Sequence, residues 1–157
     1  FPCASRRPPG AAMPLSRLLP LALFAPALFH SACADVEFMD TPQLSALWEA
    51  TNAADNDAID RLLDANDNGV KARASDGRGL AWWAFEFQNT YALAAIIAHG
   101  GDIESADKDT GGQTALEMCL ESNGCDKASL IAKAKSMSAD IKKRKEEREA
   151  QKDADFG

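Results

Sequence analysis

Three oxygen-bearing side chains alternate along residues 64–69. Asp64, Asn66 and Asn68 occupy every second position, and Gly69 follows them. Carboxylate and amide oxygens are the ligands that Ca²⁺ prefers, and a glycine permits the sharp turn that wraps a loop around the ion. These three residues are therefore candidate Ca²⁺ ligands.

The remainder of this loop fits Ca²⁺ binding poorly. Its opening resembles an EF-hand loop, in which the twelfth residue is a bidentate Glu, but Ser75 stands at that position. Lys71 also takes a position that is usually apolar in such loops. Because Asn, Asp and Gly form ordinary turns as well, the sequence predicts a turn here, with Ca²⁺ binding as the alternative.

The cysteine and histidine residues indicate structural roles. Cys119 and Cys125 are six positions apart, which predicts a disulfide in an oxidising compartment, with two buried thiols as the alternative. His99 comes just before two glycines, where its charge would favour the C-terminal end of a helix. The sequence has no recognisable nucleophile motif and no phosphate-binding glycine motif, so it predicts neither an enzyme nor a cofactor.

The acidic residues are confined to one part of the chain. All 24 Asp and Glu residues lie in residues 35–157, and the whole chain carries a net charge of −7. A domain of this charge repels phosphates instead of releasing their counterions. The composition therefore argues against nucleic-acid binding and favours a protein partner with a basic or mixed surface.

Residues 1–34 have the layout of a secretory signal peptide. A short basic stretch from Met13 leads into the apolar residues 18–29, and the small-residue sequence Ala32-Cys33-Ala34 follows. Cleavage is expected after Ala34, and a buried N-terminal helix is the alternative. The apolar stretch is shorter than the ~20 residues that a membrane span needs. The sequence predicts no transmembrane span in the mature chain.

Several compartments fit this targeting segment. Residues 1–12 do not begin with Met, so they are either untranslated sequence or part of a longer presequence. In the second case, the acid-free stretch with Arg6-Arg7 resembles the two-part address of a thylakoid-lumen protein. A periplasmic lipoprotein fits less well, because His30 stands where its signal has an aliphatic residue. We predict an extracytosolic protein, in the secretory pathway or an organelle lumen.

Apolar residues with helical spacing run through residues 35–137. The pairs Leu62-Leu63, Ile96-Ile97 and Leu130-Ile131 follow one another at intervals of 34 residues. A period of this length, built from two helices and a turn, is typical of a stacked repeat array. The sequence therefore predicts an all-α fold of three helix pairs, with no β-sheet. Within the first helix, one apolar face is predicted to contain Leu44, Leu47 and Trp48.

The turns make the chain resemble an ankyrin-repeat protein. Residues 76–107 read DGRGLAWWAFEFQNTYALAAIIAHGGDIESAD, which has the family's glycine turn, its alanine in the first helix and its paired aliphatics in the second. Trp82 replaces the family's His, and Gly79-Leu80 replace Thr-Pro. The resemblance implies an ankyrin-like helix-turn-helix solenoid with repeats at about 41–75, 76–108 and 109–137, and another helix-pair solenoid is the alternative.

The last segment, residues 138–157, is mostly charged, with Glu, Lys and Arg at helical spacing. This pattern predicts a charged, solvated C-terminal helix or tail. The alternative is a strut that lies on a partner or caps the last repeat.

The resemblance also implies where a partner would bind. Ankyrin-type units bind through their hairpin tips and the exposed side of their first helices. By that pattern, the partner-binding residues are Arg73, Asp76, Arg78, Trp82, Glu86, Phe87, Lys108, Gln113 and Glu121. Aromatic and arginine anchors contribute much of the energy at interfaces, which favours Arg78 and Phe87. Core packing is the alternative for Trp82 and Phe87, and Trp83 and Phe85 are predicted core residues.

Three repeats are close to the minimum for a stable array, so binding to a partner would stabilise this one. The sequence therefore predicts a protein-interaction module that is an accessory or structural subunit of a larger complex. If the thylakoid address is correct, that partner would be a photosynthetic membrane complex. The alternative is a small Ca²⁺-responsive protein that uses residues 64–69.

Overall fold

The computed structural model describes residues 38–155, so the targeting segment predicted at residues 1–34 lies outside the described residues. Between residues 38 and 155 the chain is mostly helical and has no β-strand, which confirms the all-α prediction. Lys108 and Thr114 form one isolated bridge. In the same part of the chain, no helix is both long enough and apolar enough to cross a membrane.

Five α-helices make up most of this region. They are α1 (Pro42–Ala53), α2 (Asn56–Ala65), α3 (Leu80–Glu86), α4 (Thr90–Ala98) and α5 (Lys127–Asp155). Short 3-10 helices occupy Asp67–Val70, Ala115–Met118 and Glu121–Asn123.

Short polar side chains begin the first, second and fourth helices. Thr41, Asp55 and Asn89 each accept a hydrogen bond from the backbone N–H three residues further on, at 3.2, 2.9 and 2.9 Å. Such N-caps satisfy a donor that the helix itself leaves unpaired. Asp55 and Asn89 are 34 residues apart, so α2 and α4 begin at the period seen in the sequence.

The helices pack in two rows. In the first row, α1 contacts α3, and α3 contacts the 3-10 helix Ala115–Met118. In the second row, α2 contacts α4, and α4 contacts α5. The core between the rows contains fully buried aliphatic and aromatic side chains, including Leu47, Leu63, Phe85, Leu93 and Ile96.

The third helix pair differs from the first two. Two 3-10 helices stand where the repeat period predicts an α-helix. Glu117 accepts a hydrogen bond from Thr114 N at 2.6 Å, which closes a capping box around the first of them. The second helix of this pair continues into the charged segment as α5, so the boundary predicted at residue 138 lies inside one helix.

The charged half of α5 packs along the second row, which corrects the prediction of a solvated tail. Ala134 and Ile141 are fully buried, and Lys145 and Arg148 lie on the same face one and two turns further on. Arg148 donates to both carboxylate oxygens of Asp64, at 2.7 and 3.2 Å. Only the outer face of α5 is solvated.

Candidate functional site

Two turns between successive helix pairs bear most of the residues that the sequence proposes for partner binding. Each contains a glycine with positive φ, Gly77 at 78° and Gly112 at 83°. The backbone N–H and the hydroxyl of Thr110 both donate to Asp76 O at 2.9 Å, so the turns lie side by side. Together they form a continuous edge next to α3.

Arg73 joins the two turns instead of projecting into solvent. Its guanidinium lies between the rings of Phe38 and Trp82, 4.7 and 4.3 Å from their centroids. It also donates to the carbonyl oxygens of Gly77 and Lys108 at 2.5 Å. Since the side chain is only 14% exposed, most of its binding capacity is used within the chain.

Arg78 is held by acidic neighbours on the same edge. Its Nε lies 2.9 Å from Asp109 Oδ2, and the carboxylates of Asp76 and Glu86 are each 3.9 Å from the guanidinium. Asp109 is buried and also accepts from Gln113 N at 2.8 Å. Burial favours the neutral acid, but these hydrogen bonds prevail and lower the pKa of Asp109. Arg78 therefore orders the turn.

The aromatic residues of α3 divide between core and surface. Trp83 and Phe85 are buried, as predicted. Trp82 is only 5% exposed, and its Nε1 donates to Gln113 O at 3.1 Å, so the indole is part of the core. Phe87, just past the end of α3, is half-buried and reaches the surface.

Phe87 contacts an exposed tryptophan of the preceding helix pair. Trp48 is 42% exposed, although its spacing placed it on the same apolar face as Leu44 and Leu47, which are buried. The rings of Trp48 and Phe87 meet edge to face, with centroids 5.9 Å apart and planes at 72°. Aromatic side chains are enriched at protein interfaces, so this partly exposed pair is a candidate contact surface.

A cleft of about 330 Å³ opens beside Trp48. Its apolar lining comes from Leu44, Trp48, Ala74 and Trp83, and its polar lining from Asp40, Thr41, Ser45 and Glu49. Asp40 is fixed by Ser75, whose N–H and hydroxyl donate to its two oxygens at 2.9 and 2.8 Å. These bonds lower the pKa of the Asp40 carboxyl, which is therefore charged at neutral pH. We call this cleft, with Trp48 and Phe87, the aromatic cleft.

The candidate Ca²⁺ ligands are engaged with the protein itself. Asp64 binds Arg148 through both oxygens. Asn66 accepts from the backbone N–H of Asn68 at 3.0 Å and donates to Gln43 Oε1 at 3.0 Å. Among residues 38–155, no group of three or more His, Cys, Asp or Glu side chains is arranged to hold a metal ion. A Ca²⁺ ion at this loop would have to displace Arg148.

His99 lies at the C-terminal end of α4, and its ring is fully buried. Nδ1 is 2.6 Å from Asp67 Oδ1, which also lies 3.0 Å from Lys145 Nζ. Nε2 has no hydrogen-bond partner among the described residues and is 3.9 Å from Asp64 Oδ1. This position fits the structural role predicted for His99 at a helix end.

Cys119 and Cys125 lie at disulfide-bonding distance, with Cα atoms 5.4 Å apart, as predicted. Both are buried, and they close the short segment that contains Glu121–Asn123. Glu121, predicted to contact a partner, is exposed in this segment.

Two groups of residues were missed by the reasoning from sequence. Trp48 was missed because an apolar residue at helical spacing is expected on the core side of its helix. Its neighbour Glu49 in the aromatic cleft was missed with it. Lys145 and Arg148 were missed because a charged helix is usually solvated. Their spacing from Ile141, on one helix face, was the available indication that they would pack against the second row.

Comparisons of the chain with protein-family models, with curated proteins and with solved structures each find no significant match.

Proposed function

We propose that this protein is a non-enzymatic, protein-binding subunit built on a short ankyrin-like repeat array, and that it binds its partner through the aromatic cleft. The main support for this proposal is the contact between Trp48, which is exposed, and Phe87, which is half-buried, two aromatic residues from successive helix pairs. The pair lies on the first-helix row, which is the side that ankyrin-type units use for binding.

The repeated local geometry supports the ankyrin-like assignment. N-caps recur at Asp55 and Asn89, and left-handed glycines recur at Gly77 and Gly112. First helices contact first helices and second helices contact second helices, as in a stacked array. The 3-10 helices of the third pair depart from this pattern, and terminal repeats are atypical in such arrays.

We further propose an extracytosolic location. The pairing distance of Cys119 and Cys125 supports it, because disulfides persist in oxidising compartments. The signal-peptide layout of residues 1–34 supports it as well. A secretory compartment and an organelle lumen, including the thylakoid lumen with its photosynthetic complexes, both fit these features.

Gradient sedimentation after mild detergent extraction from the producing cells tests the proposal. The wild-type protein should sediment with a complex much larger than itself. The double variant Trp48→Ala/Phe87→Ala should shift to the position of a free small protein, because the proposed contact is lost. Lys142→Ala is the matched control, since Lys142 is exposed on α5, away from the cleft.

Two results would contradict the proposal in different ways. If the wild-type protein sediments as a free protein, the proposal that it assembles into a larger complex is wrong. If the double variant remains in the complex and its circular dichroism shows a native fold, the aromatic cleft is not the contact with the partner.

Ca²⁺ binding by residues 64–69 is the alternative function, and the contacts of Asp64 with Arg148 do not favour it. A Ca²⁺ titration followed by tryptophan fluorescence distinguishes the two. A saturable response that Asp64→Asn abolishes would support the alternative, and a flat response would leave the protein-binding proposal.

A further inference from the structure

The aromatic cleft has one wall that suits an aliphatic chain. It is lined by Trp48, Trp83 and Leu44, and Trp48 is 42% exposed. Lysine and arginine bury their methylene stems along apolar surface, and an aromatic face also attracts a cation placed over it. This wall therefore favours a side chain with a long apolar stem and a positive end.

The polar part of the lining is acidic, and the lining contains no basic residue. Asp40 and Glu49 contribute carboxylates, and Thr41 and Ser45 contribute hydroxyls. Glu49 is exposed and makes no ion pair with any residue between 38 and 155. Its charge is therefore available to a ligand.

One feature of the cleft opposes a cation. The N-terminal end of α1 lies at Thr41 and Pro42, and a helix N-terminus has the effect of about half a positive charge. Two carboxylates in the lining outweigh it, so the cleft as a whole remains negative.

We propose that the aromatic cleft binds a lysine or arginine side chain of the protein partner, with the stem against Trp48 and the charged group at Asp40 and Glu49. This inference rests on the proposed protein-binding function and specifies the chemistry of the partner at that site. The partner segment would pair this basic residue with an apolar residue that contacts Phe87.

A display library of short random peptides, selected against the immobilised full chain, provides the probe. Selected peptides should be enriched in Lys or Arg next to an apolar residue. Binding of a selected peptide should weaken about two- to fivefold in Glu49→Gln, which removes one charge and keeps the shape. Glu146→Gln, the same change on the exposed face of α5, should leave affinity unaltered. High salt should weaken binding to the wild type more than binding to Glu49→Gln.

The outcomes separate this inference from the proposed function. The selected peptides could lose binding in Trp48→Ala and yet contain no basic residue, or they could bind Glu49→Gln as well as the wild type. Either result would overturn the proposal of a basic partner side chain and leave the aromatic cleft as the contact. Failure to select any peptide sensitive to Trp48→Ala would overturn the inference. The sedimentation comparison uses no peptide, and it decides the proposed function separately.

Discussion

At the scale of single residues, the turn between the two helices of each pair uses a left-handed backbone conformation. Ala54 and Gln88 have φ of 52°, and Gly124 has φ of 72° in the third pair. Only glycine adopts this region without a steric cost, and other residues pay about 1–2 kcal/mol there. The first two pairs therefore hold a strained residue where the third has a glycine.

We expect Ala54→Gly to stabilise the protein by about 0.5–1 kcal/mol. The steric cost that glycine avoids in the left-handed conformation is larger than the free energy by which glycine favours the unfolded chain through its entropy, about 0.4–1 kcal/mol. Ala46→Gly, inside α1, is the control and should destabilise by about 1 kcal/mol. Urea unfolding measures both, and equal destabilisation by the two changes would show that residue 54 is not left-handed.

Asp67 makes the stability of the fold depend on pH in the acid range. Hydrogen bonds from His99 and then Lys145 lower the pKa of Asp67 from 3.8, against a smaller effect of burial. The folded state therefore binds this proton less readily than the unfolded state. The stability that Asp67 contributes is full above its unfolded pKa and is lost as the pH falls through the lowered folded value.

Asp67→Asn should consequently lose less unfolding free energy than the wild type between about pH 5 and pH 2. Lys145→Met should also flatten this dependence, because it removes one of the groups that lower the pKa. Lys142→Met is the control on the same helix, and it should follow the wild-type curve. Identical curves for wild type and Asp67→Asn would contradict the contact with His99 and Lys145.

At the scale of elements, the third helix pair combines short 3-10 helices with a cysteine pair at disulfide-bonding distance. Two 3-10 helices stand in place of an α-helix, and such helices have poorer hydrogen-bond geometry. Cys119 and Cys125 close the segment that contains the second of them. The disulfide thus fixes a part of the first row that helix formation alone would hold weakly.

Replacing both cysteines, Cys119→Ala/Cys125→Ala, should lower the unfolding free energy by about 2 kcal/mol, from loop-closure entropy for so short a loop. Amide hydrogen exchange should accelerate most in residues 115–125. A reducing agent should reproduce this acceleration in the wild type and have no effect on it in the double variant. Exchange in the wild type that does not respond to reduction would show that the two thiols are not joined.

At the scale of the whole molecule, α5 connects parts of the chain that a repeat array normally keeps apart. Repeats usually contact only their neighbours. Here Arg148 pairs with Asp60 and Asp64 of α2, and Arg144 donates to the hydroxyl of Tyr91 at 3.2 Å. Burial and the hydrogen bond with Asp60 raise the pKa of Tyr91 to about 12, so its hydroxyl stays protonated at neutral pH. α5 therefore couples the third helix pair to the first.

We expect a chain that ends after Met137 to be less stable by about 3 kcal/mol of unfolding free energy, because it lacks the buried Ile141 side chain and the ion pairs of α5. Its unfolding curves from far-UV circular dichroism and tryptophan fluorescence should separate, whereas those of the wild type should coincide. Ile141→Ala in the full chain should cost about 2–4 kcal/mol, and Lys142→Ala should cost almost nothing. A truncated chain as stable as the wild type would show that this half of α5 contributes nothing.

The local features of this protein can be predicted from its sequence. Helical spacing gave the all-α class, and the interval of 34 residues between aliphatic pairs predicted the helix pairs that the structure contains. The pairing of Cys119 with Cys125 was also predicted, since they are close in sequence. These features depend on residues a few positions apart or on a repeated pattern, which can be read without knowledge of the fold.

Which face of each element meets solvent depends on how the elements pack in the folded protein. Helical spacing groups residues on one face but does not say what that face contacts, so Trp48 is exposed while Trp82 is buried under Arg73. The pairing of Asp64 with Arg148 joins residues 84 positions apart, and no local pattern encodes it. Contacts across such separations follow from how the helices stack, because stacking selects which charges and rings come within reach of one another.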